Sequence, residues 1–167
     1  MKRLLTNDVI EFIDESIRER ILQINKETNS CVCIELDSTR LNIKIRSLSY
    51  IEKMYNNDQI KLALNDDYYV FRDEEDMSES EKKILNERWE LIEYLISKNI
   101  DEMLYKRNTR AKAINETCYR FGKDKKFVYK LFRLYLQGGR RKLALAPNFN
   151  KCGGRGKQRA KTDKKLG

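Results

Sequence analysis

Cations and one aromatic at helical spacing are the residues of this sequence best suited to a chemical task. Lys126, Tyr129, Lys130 and Arg133 recur at intervals of three and four, with Lys125 just before them. Val128, Leu131, Phe132 and Tyr135 recur at the same intervals on the opposite side. Together they describe a helix that buries one face and presents cations and a tyrosine on the other. Such a face can enter a DNA major groove, where lysine and arginine meet phosphates and the acceptor edges of guanine. An ordinary amphipathic helix with a solvated basic face has the same pattern, so the flanking sequence has to separate the two.

Asp124 is a natural N-cap for a helix over residues 125–137, and Gly138–Gly139 ends it. A preceding helix over residues 109–121 stops at Gly122, a residue that takes positive φ without steric cost. Two helices meeting at a short glycine turn form a helix-turn-helix pattern, here over residues 109–137. Arg110, Lys123, Arg140, Arg141 and Lys142 flank the basic face and are candidates for the DNA backbone. Further on, Arg155, Lys157 and Arg159 sit in a glycine- and lysine-rich tail. Small residues alternating with cations suit an arm in a narrow minor groove, although a solvated tether has the same composition.

Charge separates the halves of the chain. Residues 1–103 carry 15 Lys+Arg and 23 Asp+Glu, a net of −8, and residues 104–167 carry 20 and 3, a net of +17; together they give the overall +9. A basic half of this strength is a local footprint for a polyanion. Nucleic acid fits it better than a membrane, because the basic segment lacks a broad exposed apolar face.

Other chemistries lack their residues. The chain has no histidine, which removes His-based triads and His-ligated metals. It has no G-x-x-x-x-G-K-[ST] phosphate loop and no G-x-G-x-x-G. The acids at 73–76 read as a solvated run before a helix. Catalytic and metal-binding residues are therefore expected to be none, and no cofactor is expected. Cys31, Cys33, Cys118 and Cys152 include no C-x-x-C pair. Cys31 and Cys33 share a strand face and are expected to pack in a core as reduced thiols of a cytoplasmic protein. No signal peptide opens the chain, and no apolar run reaches the ~20 residues of a membrane span.

At 167 residues, 40% hydrophobic and 37% charged, the chain can hold one medium domain or two small ones. Alternating runs at residues 9–12, 20–25, 31–36 and 41–46 predict strands. Residues 48–55 switch to helical spacing, and 60–64 and 68–71 predict two more strands. Ser78, three residues before Glu81, predicts a capping box for a helix over 80–97 with Ile84, Leu85, Trp89, Ile92 and Ile96 on one face. A shorter helix covers 100–105. The only proline, Pro147, marks an extended break after residues 143–146. The expected fold is α+β: a small β-rich, barrel-like N-terminal domain (1–75), a helical domain with the helix-turn-helix (76–142) and a basic extended C-terminal arm (143–167). The chain stops inside that arm, which suggests a fragment whose next domain is missing.

Residues 120–122 (RFG), 125–139 (KKFVYKLFRLYLQGG) and 145–148 (LAPN) resemble the N-terminal region of TnsB. TnsB is the DDE-type transposase subunit of TnsABC-type heteromeric bacterial transposons. The family pattern reads R-F-G, a turn, R-x-T-V-Y-R-L-L-R-R-Y-W-x-x-G, and a short linker ending in proline. Residues 9–12, 20–24 and 32–34 are similar to the family's front strands in order. The departures are Lys123 in place of an apolar turn residue, Phe127 in place of threonine, and Leu134 and Leu136 in place of arginine and tryptophan. The resemblance implies binding of double-stranded DNA at repeated sites in transposon ends. It also implies a catalytic RNase H-like domain with a D-D-E triad and Mg²⁺ that this chain does not include. A TnsA-like endonuclease and a TnsC-like ATPase would be partners of the full-length protein, which would be bacterial, cytoplasmic and nucleoid-associated when bound.

The leading expectation is thus recognition of transposon-end DNA, with Lys125, Lys126, Tyr129, Lys130 and Arg133 in the major groove. Arg110, Lys123, Arg140, Arg141 and Lys142 would hold the backbone, and Arg155, Lys157 and Arg159 the minor groove. A stand-alone helix-turn-helix transcriptional regulator is the alternative, and a basic module for RNA or a protein partner is a third possibility.

Overall fold

The computed structural model describes residues 3–147. The predicted arm with Arg155, Lys157 and Arg159 lies outside the described residues, as does Cys152. The front of the chain forms a five-stranded antiparallel sheet from β1 (Val9–Phe12), β2 (Ile17–Asn25), β3 (Ser30–Glu35), β4 (Ile43–Ser47) and, after the helix α1 (Leu48–Asn56), β5 (Ile60–Leu62). The strand order is β4-β3-β2-β1-β5. The row is open, with β4 and β5 at its edges, so the barrel-like closure expected from the strand count does not form.

Both faces of this sheet are covered, and β3 shows why its pattern is so apolar. Cys31 and Cys33 point to one side and pack with Ile10, Phe12, Ile21, Leu48, Ile51 and Ile60 under α1. Val32 and Ile34 point to the other side and join the helical core. A strand buried on both faces reads as a continuous apolar run. Ordinary strand alternation lets consecutive residues of β2 serve both layers, Ile21 facing α1 and Leu22 the helices, and the register with β3 shifts between Ile21 and Gln23. The thiols of Cys31 and Cys33 are free, buried and 3.5 Å apart. Its hydrogen bond to Cys31 and its burial hold the Cys33 thiol well above its ordinary range.

Residues 68–71, predicted as a strand, are irregular. Asp66 explains the difference. Its side chain accepts from the Tyr68 amide at 3.2 Å and its carbonyl from the Tyr69 amide at 3.0 Å, a local turn that competes with extended pairing. The buried Arg20 guanidinium clamps the same carboxylate through two contacts at 2.7 Å.

The helices follow as α2 (Glu79–Ile96), α3 (Ile100–Tyr105), α4 (Arg107–Phe121) and α5 (Lys125–Gln137). Ser78 and Glu81 form the expected capping box, with Ser78 N–H donating to Glu81 Oε2 at 2.9 Å and Glu81 N–H donating to Ser78 Oγ at 3.3 Å. The buried face of α2 carries Leu85, Leu91, Ile92 and Leu95, rotated from the predicted stripe. Trp89 is only half-buried and meets Tyr135 at a ring distance of 6.1 Å. Residues 142–145 are a 3₁₀ turn instead of the expected extended stretch. Leu145 is fully buried and its carbonyl accepts from Arg88 at 2.8 Å. The turn seats on α5 at Gly138, where a Cβ would collide with the Ala144 side chain.

The sheet and the helices share one seam. Gln137, fully buried at the end of α5, donates from Nε2 to the carbonyls of Glu35, Leu36 and Ser38 at 2.9–3.1 Å. In return Arg20 Nε donates to the Gln137 carbonyl at 2.7 Å. These bonds fix how α5 lies against the β3–β4 hairpin, and the candidate site sits at that junction.

Candidate nucleic-acid interface

Helix α5 starts where the sequence predicts. Asp124 Oδ1 accepts from the Phe127 amide at 2.9 Å, and Gly122 closes α4 with φ +59°. The apolar stripe of Val128, Leu131, Phe132 and Tyr135 is buried. The opposite face therefore turns outward, but it does not stand alone. It forms one wall of an open cleft of about 870 Å³ whose other wall is the tip of the β3–β4 hairpin.

The lining is one-signed. Lys125, Lys126, Tyr129, Lys130 and Arg133 come from α5, Arg107 and Arg110 from the start of α4, and Thr39, Arg40, Leu41, Asn42 and Ile43 from the hairpin. Seven of these residues are cations and none is an acid. Lys125, Lys126, Lys130, Arg107 and Arg40 are exposed, while Tyr129, Arg110 and Arg133 are half-buried at the floor. The positive end of the α5 dipole adds to the field at Lys125 and Lys126. Arg110 is steadied by donating from Nη1 to the Met103 carbonyl at 2.8 Å. Burial, and less so the neighbouring Arg107 charge, pull its guanidinium below its ordinary pKa. It remains charged at neutral pH, as guanidinium groups do in proteins.

Arg133 has a second attachment. Its Nη1 donates to the Ser38 carbonyl at 3.2 Å and to Gln137 Oε1 at 3.1 Å. It is both part of the floor and a tie between α5 and the hairpin.

The other predicted backbone cations are not gathered here. Lys123 lies on the far side, beside Glu87, Glu90 and Phe127. Arg141 donates from Nη2 to the Val70 carbonyl at 3.0 Å and stacks over the Tyr69 ring at 3.6 Å. Lys142 pairs with Glu74 at 2.8 Å. Arg140 takes φ +61°, and its Nε and Nη2 are buried without a hydrogen-bond partner. Arg141 and Lys142 lie along the residue 66–76 segment, after the chain has turned at Gly138–Gly139 and seated the 142–145 turn on α5. Within the cleft, Arg40 and Arg107 are the cations that sequence reasoning missed. Arg107 lay just before the predicted start of α4 at residue 109. Arg40 lay in a half of the chain whose mean charge is acidic, and the only sign of it was a Ser-Thr-Arg turn between two alternating runs.

No helix among the described residues is long and apolar enough to cross a membrane. No curated protein matches the chain. The family model described as the TnsB second domain matches residues 85–149, a span that holds most of α2, all of α3 to α5 and the 142–145 turn. The α4–α5 wall of the cleft thus lies inside the match and the hairpin wall outside it. Residues 85–149 are thus similar to the TnsB second domain, and the match supports reading the chain as the N-terminal region of a TnsB-like transposase.

Proposed function

We propose that the chain binds double-stranded DNA at transposon ends in a sequence-specific way, as the end-recognition part of a TnsB-like transposase. In this reading α4 and α5 act as a helix-turn-helix and α5 enters the major groove. The observation that carries it is the cleft: seven cations and a tyrosine, with no acid among the lining residues, along a helix whose opposite face is buried. Lysine and arginine contacts to phosphate would supply most of the affinity and a steep salt dependence. In this reading Tyr129, Lys130 and Arg133 would meet base edges, and Lys125, Lys126, Arg107 and Arg110 the bordering strand.

The cleft does not suit a magnesium ion, which takes oxygen ligands such as carboxylates, because its donors are mainly cationic nitrogens. The strand-joining chemistry of such a transposase, and its TnsA-like and TnsC-like partners, are assigned to the rest of the full-length protein. The chain itself recognises the substrate.

The test is selection of duplexes from a randomised 30-base-pair library, followed by footprinting of the enriched sequence. A defined motif with protection of one major-groove face is expected. Enrichment of two-fold palindromes bound by a dimer would favour a transcriptional regulator instead. Retention of all sequences alike would remove specificity from the proposal.

A further inference from the structure

The β3–β4 hairpin tip is the part of the cleft outside the matched family segment, and its charges are arranged unlike those of the sheet around it. Two acids flank the tip, and both are occupied. Asp37 accepts from Arg18 at 2.6 and 3.1 Å, and Glu35 accepts from Asn42 at 2.6 Å and pairs with Lys44 at 3.2 Å. Between them, among the described residues, the Arg40 guanidinium makes no hydrogen bond or ion pair and is exposed. A cation left free between neutralised acids is presented to an anion from outside.

The tip is also held still. Ser38 Oγ accepts from the Arg40 amide at 3.1 Å. The Ser38 carbonyl accepts from Gln137 and Arg133 of α5 at 3.1 and 3.2 Å. Leu41 and Ile43 pack against the helical core. The distance between the tip and the basic face of α5 is therefore set before any ligand arrives. A pre-ordered contact loses less entropy on binding than a loop that must be fixed.

We propose that the Thr39–Asn42 tip is a second DNA-contact element, with Arg40 gripping a phosphate of the strand that borders the groove entered by α5. The proposal rests on the duplex-DNA reading above and adds to it: the sheet half of the chain is a working wall of the interface. Thr39 and Asn42 supply further hydrogen-bonding groups beside the same phosphate path. Because the contact is to phosphate, it adds affinity and register and leaves base preference to α5.

The experiment uses the whole chain and the duplex enriched in the selection, with anisotropy titrations from 50 to 300 mM salt. Arg40→Ala is expected to weaken binding about threefold to tenfold at the low-salt end, and to make the log–log salt slope shallower by about 0.9, the value of one phosphate contact. Arg40→Lys should restore most of both, because a lysine serves a phosphate as a point charge. Lys83→Ala, which removes an exposed cation of α2 away from the cleft, should leave both unchanged. Ethylation interference should lose one phosphate at the edge of the footprint in Arg40→Ala.

If the unaltered chain binds duplex and Arg40→Ala matches it in affinity and slope, the hairpin contact is overturned and the α5 reading stands. A changed base preference with an unchanged slope overturns the phosphate assignment. Should the unaltered chain fail to bind duplex, or prefer single-stranded RNA at equal salt, both readings fall together.

Discussion

The sheet and the cleft both hold several cations, and they treat them in opposite ways. In the sheet every buried or half-buried cation has an acid. Glu19, fully buried, takes Arg46 at 2.6 Å and Lys44 at 2.9 Å; Arg20 takes Asp66 at 2.7 Å; Arg18 takes Asp37 at 2.6 Å and Asp67 at 2.9 Å. In the cleft the lining contains no acid at all. Desolvated charges in a fold need partners, since an uncompensated buried ion costs several kcal/mol. Unpaired cations on a surface stabilise nothing, and their mutual repulsion is tolerated only at some cost. The contrast separates charges that hold the chain together from charges available to a ligand.

The largest effect should come from breaking the first kind. Arg20 is 2% exposed and ties Asp66, the Asn7 carbonyl and the Gln137 carbonyl together. Arg20→Ala leaves a carboxylate and two carbonyls without that donor and should cost about 3–5 kcal/mol of folding stability. Chemical denaturation followed by circular dichroism measures it, and a loss under 1 kcal/mol would mean the seam is not held by this arginine. DNA affinity in the surviving folded fraction should fall by much less than stability does, since Arg20 lies outside the cleft lining and acts on it only through the Gln137 carbonyl.

The second kind should behave in reverse. Lys126→Ala with Lys130→Ala is expected to weaken binding to the selected duplex by about 2–5 kcal/mol, at roughly 1–3 kcal/mol for each good contact. The same double change should alter unfolding free energy by less than about 0.5 kcal/mol, as for exposed sites away from structural features. Equal losses in both measurements would collapse the distinction between the two regions. Arg133→Ala should fall between, losing a ligand contact and the tie to Ser38 together.

A third test bears on the junction of α5 with the 142–145 turn. Gly138→Ala places a methyl against Ala144 and should lift the 142–145 turn from α5. Overpacking of this kind costs about 1–3 kcal/mol. A thermal melt would register it, and no shift would show that the turn moves aside freely.

These contrasts explain which parts of the molecule could be read from residues alone. Local signals were clear: the Ser78–Glu81 box, Gly122, Asp124 and the α5 stripe all lie where spacing put them. The strands of β1 to β5 were visible from alternation, but the open order of the sheet was not, because strand count does not fix which edges pair. Residues 68–71 were misread because their neighbour Asp66 is held by Arg20, 46 positions away. The α5 half of the cleft was legible as a periodic face. The hairpin half was not, because Arg40 becomes part of a basic wall only when Arg18 and Lys44 have taken its neighbouring acids. For the same reason Arg141 and Lys142 looked free in the sequence, and long-range partners claim both.

The smallest effect concerns a paired charge at the edge of the helical part, and its sign can be worked out. Hydrogen bonds from Arg72 and from the Ser78 backbone lower the Glu81 carboxyl to about 2. For Glu19, burial opposes ionisation but the bonds from Arg46 and Lys44 outweigh it, so its carboxyl also lies below the ordinary value. A carboxyl whose folded pKa is depressed contributes stability fully above its unfolded pKa and loses it as pH falls through the folded one. The melting temperature should therefore drop as pH is lowered from about 5 toward 2. Glu81→Gln should flatten part of that slope while keeping an acceptor for the cap. Ser78→Ala should cost about 1 kcal/mol at neutral pH, the usual value of an N-cap. DNA binding measured at neutral pH should not respond to either change, because the acids involved are satisfied within the fold and the cleft has none to titrate. A shift in DNA affinity with Glu81→Gln would show that the paired charges reach the cleft after all.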